Sequence, residues 1–224
     1  MKDQYFGDFG DYQKISLLKS LQKQGIRTLV YWMKTKDDSS ADGKHIAYLQ
    51  KPNVWRYFDP ATYDFVKARI ASERRSLSHI EENLHSDSIK FVNDYIEDGT
   101  TRDRILKDLV NDTSDLIFFD PDNGIEVAST NKRNIHKYAT WKEITEAFNS
   151  GKSVVVYQHF SRSNRDMFVK NKKTEIQERV GGKPLSVRVR HSVYFFILQD
   201  EHKKAIREAL LQFAQTWKNL AVVA

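Results

Sequence analysis

Apolar residues along this chain follow two rhythms: recurrence every three or four positions, and short unbroken runs. Ile15, Leu17, Leu18 and Leu21 follow the first, so Asp11 to Gln24 is predicted as an amphipathic helix that Gly25 ends. Similar spacing predicts one helix from Tyr63 to Leu84, and others over Thr101–Val110, Trp141–Asn149 and Glu201–Lys218. Thr28 to Met33 is rich in β-formers and is predicted as a strand. Leu116–Phe119 and Ser153–Tyr157 are continuously apolar, the pattern of strands covered on both faces. Val187 to Leu198 is predicted as one further strand, and Leu220 to Val223 as a short last one.

Strands alternating with helices imply right-handed crossovers and a mostly parallel sheet. The expected fold is α/β, a Rossmann-like three-layer sandwich, with residues 1–224 as a single domain. No repeat or long linker divides the chain. In such sheets ligands bind where strands end at their carboxyl edge. Asp120 to Glu126 leaves one buried strand and Gln158 to Arg162 leaves the next. If those strands are neighbours, both polar clusters open onto one crevice.

Composition narrows the setting. No run of about 18 apolar residues is present, so no membrane span is expected. The start, Met1-Lys2-Asp3-Gln4-Tyr5, lacks the apolar stretch of a secretion signal. Cysteine is absent, which excludes disulfides and thiolate metal sites. Together these favour the cytoplasm. Between Phe160 and Arg190 nine basic residues face three acids, an excess equal to the net charge of the whole chain, +6. This segment is expected to form a basic insertion or hairpin near 160–190. It either attracts polyanions, RNA or DNA, through Arg162, Arg165, Lys170, Lys172 and Lys173, or serves only as a solvated face.

Three constellations could carry chemistry. Asp120, Asp122 and Glu126 lie within seven residues, with Pro121 holding Asp120 out of helical geometry and Asn123-Gly124 favouring a turn. Such a loop can present hydrogen-bond acceptors, or hold a divalent metal such as Mg or Mn through Asp120, Asp122 and Glu126. In that second case His159 would join, and the activity would be that of a metal-dependent nuclease or phosphohydrolase. His159 could also serve as a general base or phosphate contact. The third constellation is Gly7-Asp8-Phe9-Gly10-Asp11-Tyr12-Gln13-Lys14. There Asp11 is either a helix N-cap or a ligand contact, and Lys14 opposes the dipole of the helix it begins, as a bound anion would compensate.

This N-terminal stretch resembles the Gly-Asn-x-Ala-Asp-x-x-Lys-His motif of bacterial 23S ribosomal RNA adenine-N6 methyltransferases, matching at Gly7, Asp11 and Lys14. Phe118-Phe119-Asp120-Pro121 resembles the strand and first half of that family's Asp-Pro-Pro-Tyr motif. The resemblance implies S-adenosylmethionine near Gly7, Asp8, Asp11 and Lys14. It also implies that Asp120 accepts from an adenine amino group while Pro121 shapes the loop. The leading expectation is thus a methyltransferase-like enzyme acting on nucleic acid, with Asp120 and Asn123 orienting the target amine and Asp122 and His159 completing the catalytic set. Asp122 and Asn123 stand where the family has Pro and Tyr, so the aromatic that stacks on a flipped base is missing. After the first strand, Lys34-Thr35-Lys36-Asp37-Asp38 stands where a glycine-rich turn is called for. The chain also resembles a bacterial group that shares its Tyr-Phe-Gly-Asp start, Asp-Pro-Asp-Asn-Gly and Tyr-Gln-His-Phe-x-Arg. A module that binds nucleic acid without catalysis is the remaining reading.

Overall fold

A computed structural model describes residues 1–37, 45–72, 74–96, 98–161 and 164–224. Its seven-stranded sheet has the order β2 (Ile89–Val92), β1 (Thr28–Tyr31), β3 (Leu116–Phe119), β6 (Ser153–His159), β8 (Ser192–Ile197), β7 (Leu185–Arg188), β9 (Val222–Val223). β1, β2, β3, β6 and β7 run in one direction, while β8 and β9 run against them. The sheet is therefore mostly parallel, as expected.

Side-chain alternation along the central strands builds two cores. Val30, Phe118, Val155, Tyr157, Tyr194 and Phe196 face one side. There they meet α1 (Phe9–Lys23), α3 (Pro60–Ser72), α4 (Ser78–Leu84) and α8 (Lys203–Thr216). Leu29, Tyr31, Ile117, Phe119, Val154, Val156 and Phe195 face the other, against α5 (Gly99–Asn111), α6 (Trp141–Asn149) and α7 (Arg165–Val180). The result is the Rossmann-like three-layer sandwich. Unbroken apolar runs at β3 and β6 follow directly from covering on both faces. No described helix is long and apolar enough to cross a membrane.

Three expectations about elements change. The helix expected from Tyr63 to Leu84 is two helices, because Arg75 and Leu77 between them are tied elsewhere. Asp3 accepts the Leu77 N–H at 2.9 Å and the Gln4 carbonyl accepts Arg75 at 2.8 Å. The strand expected from Val187 to Leu198 is the antiparallel pair β7–β8, turned through Val189-Arg190-His191. The basic segment forms helix α7, whose Val169, Ile176 and Val180 are buried in the second core.

From β1 the chain goes to β2 on one side and later returns to β3 on the other. The strand order reverses there, at the edge where β1 and β3 end. Met1 fills that crevice. Its amino group donates to the Met33 carbonyl at 2.9 Å, and its carbonyl accepts the Thr35 N–H at 2.8 Å. Two small strands, β4 (Gly124–Ile125) and β5 (Tyr138–Ala139), and the short helix α2 (Pro52–Trp55) sit near the same edge and complete the described elements that matter to the site.

Candidate functional site

β3 and β6 are adjacent and parallel, so the Asp120 loop and the Gln158–His159 end do meet. Gln158 makes the junction. Its amide accepts the Ile125 N–H at 2.9 Å and donates to the Asn123 carbonyl at 3.1 Å. Gly124, at φ +94°, leaves no room for more: a Cβ there would lie 2.2 Å from the Gln158 amide carbon. The Asp-Pro-Asp-Asn-Gly signature is thus a backbone latch onto β6.

Its carboxylates do not converge on a metal. Asp120 is buried and takes Lys14 at 2.8 Å. Asp122 takes the Met1 amino group at 2.8 Å and the Thr35 hydroxyl at 3.0 Å. Burial works to raise the Asp122 carboxyl, but the positive Met1 amino group overcomes it and holds the group below the usual range. Glu126 turns away to the start of α6, accepting the Trp141 N–H at 2.6 Å. Among the described residues no group of three or more acidic or histidine side chains could hold a metal ion. The metal reading is corrected on this geometry.

The N-terminal motif is also partly reassigned. Asp8, not Asp11, is the N-cap of α1, accepting the Asp11 N–H at 2.9 Å. Asp11 is wholly buried inside the first turn, where it accepts the Gly7 N–H at 3.0 Å and faces Lys14 at 3.3 Å. Lys14 lies 4.4 Å from the Tyr157 ring centre. Asp120 therefore supplies the negative charge that an external anion was expected to bring, and Asp11 adds to it when its own proton is released. They overcome burial and hold the ammonium well above its usual value. Asp11 and Lys14 are bound inward, leaving Asp8, half-buried at the helix start, as the more accessible acid of the motif.

Burial pushes the Asp11 carboxyl from 3.8 up to about 8, with Lys14 opposing and the Asp8 and Asp120 charges adding. The folded protein thus keeps a proton that the unfolded chain releases. This group's contribution to stability is full below about pH 4 and is lost as pH rises through about 8. Asp11→Asn keeps an acceptor for Gly7 and cannot titrate. Urea denaturation midpoints at about pH 5 and pH 8 are expected to differ less in Asp11→Asn than in the parent. An unchanged difference would remove Asp11 as its source.

The accessible space lies beside α1. A cavity of about 470 Å³ is lined by the N-cap Asp8 and by Phe9, Gly10 and Gln13 of α1, and by Tyr157 and His159 of β6. The segment between β1 and α3 adds Tyr48 and Trp55, and the β7–β8 turn adds Arg190 and His191. This volume suits a small-molecule ligand. Phe9 meets Trp55 edge-on at 4.8 Å and Tyr48 at 5.4 Å, forming an aromatic wall. Lys51 and Arg190 bring positive charge to the same lining, with His45 and His191 beside them. His159 is exposed to this space; crowding by protein and the Lys14 charge keep its imidazole below the usual range and neutral near pH 7. The partner of Asp120 is Lys14 rather than His159.

The basic candidates separate. Lys172 is buried, paired to Glu175 at 2.6 Å, and so is removed from any nucleic-acid surface. Lys170 and Lys173, with Lys183 and Arg188, line a groove of about 430 Å³ between α7 and β7. Arg165 donates to the Arg190 carbonyl at 3.1 Å, tying the start of α7 to the β7–β8 turn. Arg162 lies outside the described residues.

Gln13, Tyr48, Trp55, Arg190 and His191 carry no signal in the sequence, since no local spacing marks them. No family model and no curated protein matches the chain. Among solved structures it is similar to human methyltransferase-like protein 13 in complex with SAH, at 15% identity and a TM-score of 0.37, over 91% of this chain and 86% of that one.

Proposed function

We propose that this protein binds S-adenosylmethionine in the cavity beside α1 and methylates a nucleic acid. The observation that carries the reading is the cavity lining: one carboxylate, an aromatic wall and a cationic rim around about 470 Å³. S-adenosylmethionine has a matching part for each. Asp8 suits its positive charge, Phe9, Tyr48 and Trp55 suit a flat base, and Arg190, Lys51 and His191 suit a carboxylate. When bound, the cofactor supplies an electrophilic methyl group on a cationic sulfur.

The protein's own residues do the remaining work. Gly10 keeps the floor of the cavity open, since a Cβ there would stand 3.0 Å from the Tyr157 hydroxyl and 3.1 Å from Asp8. His159, neutral near pH 7, accepts a proton at an imidazole nitrogen from an acceptor amine. Asp120 and Asp122 act as positioning residues, fixing the loop through Lys14, Thr35 and Met1. Lys170, Lys173 and Lys183 offer phosphates a cationic groove, in which Arg188 is paired to Asp166.

Calorimetry with S-adenosylmethionine tests the first half. Saturable binding is expected, weakened about tenfold or more in Arg190→Ala, as loss of one charged hydrogen bond implies. Oligonucleotide anisotropy tests the second. Replacing Lys170, Lys173 and Lys183 by Gln is expected to weaken binding. The slope of log affinity against log salt should also flatten, by up to about 0.9 for each phosphate no longer neutralised. No heat with the cofactor ends the methyl-transfer reading; unchanged oligonucleotide binding ends the groove assignment.

A further inference from the structure

Gln13 is 2% exposed, lines the cavity, and its side-chain Nε2 has no hydrogen-bond partner. A buried amide without a partner costs free energy on the order of 1–3 kcal/mol, so proteins rarely leave one unless something else completes it. Gln13 stands four residues after Phe9 and three after Gly10, on the same face of α1. Its amide therefore sits beside the aromatic wall that Phe9 makes with Tyr48 and Trp55.

We propose that Gln13 is a specificity residue that reads the hydrogen-bonding edge of an adenine ring held in this cavity. The chemistry is specific. A carboxamide presents a donor and an acceptor side by side, and adenine presents the complement, its 6-amino group beside a ring nitrogen. The aromatic wall supplies a surface for a planar base. The cationic rim of Lys51 and Arg190 supplies the partner for an anionic group on the same ligand. Adenine with an anion describes both an adenosyl amino acid and an adenine nucleotide. The proposal rests on the reading of this cavity as the ligand site.

The experiment compares three probes by calorimetry: S-adenosylhomocysteine, its purine analogue lacking the 6-amino group, and adenosine monophosphate. For the parent protein, removing the 6-amino group is expected to weaken binding by about tenfold. Gln13→Leu, close in size, is expected to weaken binding of the amino-bearing probe and to erase the difference between the two. Gln13→Glu, which keeps an acceptor but loses the donor, provides a second variant should leucine fold poorly. Equal affinities of the parent for both thioether probes, with Gln13→Leu and Gln13→Glu unchanged, would overturn the role of Gln13 and leave the cofactor reading standing. Binding of adenosine monophosphate alone, dependent on Gln13, would uphold base reading and overturn the cofactor reading. Binding of no adenine probe would overturn both.

Discussion

Lys14→Met is expected to destabilise the protein by about 3–5 kcal/mol, the usual cost of removing one partner from a buried ion pair. The parent lysine contacts Asp120 at 2.8 Å and Asp11 at 3.3 Å, and all three side chains are almost fully buried. Methionine fills the volume but leaves Asp120 with no cation, and one of its oxygens already lacks a partner. Urea denaturation should show the loss as a lower midpoint with an unchanged slope. Adding Asp120→Asn to Lys14→Met should recover part of it, because the unpaired charge is then gone. A loss below about 1 kcal/mol would mean that the pair contributes no more than an exposed one.

Gly124→Ala is the second large effect, expected to cost about 3 kcal/mol or more. Part is backbone strain, since φ is +94° and a non-glycine residue held there costs roughly 1–3 kcal/mol. The rest is steric and polar. A methyl group 2.2 Å from the Gln158 amide carbon must displace it, and with it two hydrogen bonds worth roughly 1 kcal/mol each. Gly25→Ala is the internal control. Its φ is +74° but nothing lies within 4 Å of the added carbon, so only the strain should appear. Denaturation of both variants measures the difference; equal losses would show that the Gln158 latch contributes nothing.

Sequence pattern revealed the fold wherever local signals and burial agree. Leu116–Phe119 and Trp141–Asn149 are found with their expected bounds. The first is apolar throughout because helices cover both faces. The second opens on a capping box between Thr140 and Glu143. Signals failed where a break carries no glycine or proline. Ile70, Leu77 and Leu84 keep a seven-residue apolar spacing across a break where Asp3 and Gln4 hold Leu77 and Arg75 from far away. Val189-Arg190-His191 turns a hairpin with none of the usual turn residues.

The site was legible in its parts and not in its pairing. Asp120 and Lys14 were each conspicuous, yet they are 106 residues apart and neutralise one another. Asp8 and Asp11 are equivalent as capping types, and only the helix start at Phe9 decides between them. The cavity draws on α1, the 45–55 segment, β6 and the β7–β8 turn, so no single stretch of sequence carries its composition.

In the proposed site, the antiparallel course of β8 makes strand alignment an ingredient of molecular recognition. Arg188 stands opposite Val193, and the turn they close carries Arg190 and His191 to the ligand edge. A slip of one position between these two strands would exchange inward and outward side chains along the slipped strand. The guanidinium that completes the rim would then swing away, with every residue of the pocket chemically intact. For the proposed ligand, affinity would be written partly in hydrogen-bond phasing, at positions that never touch it.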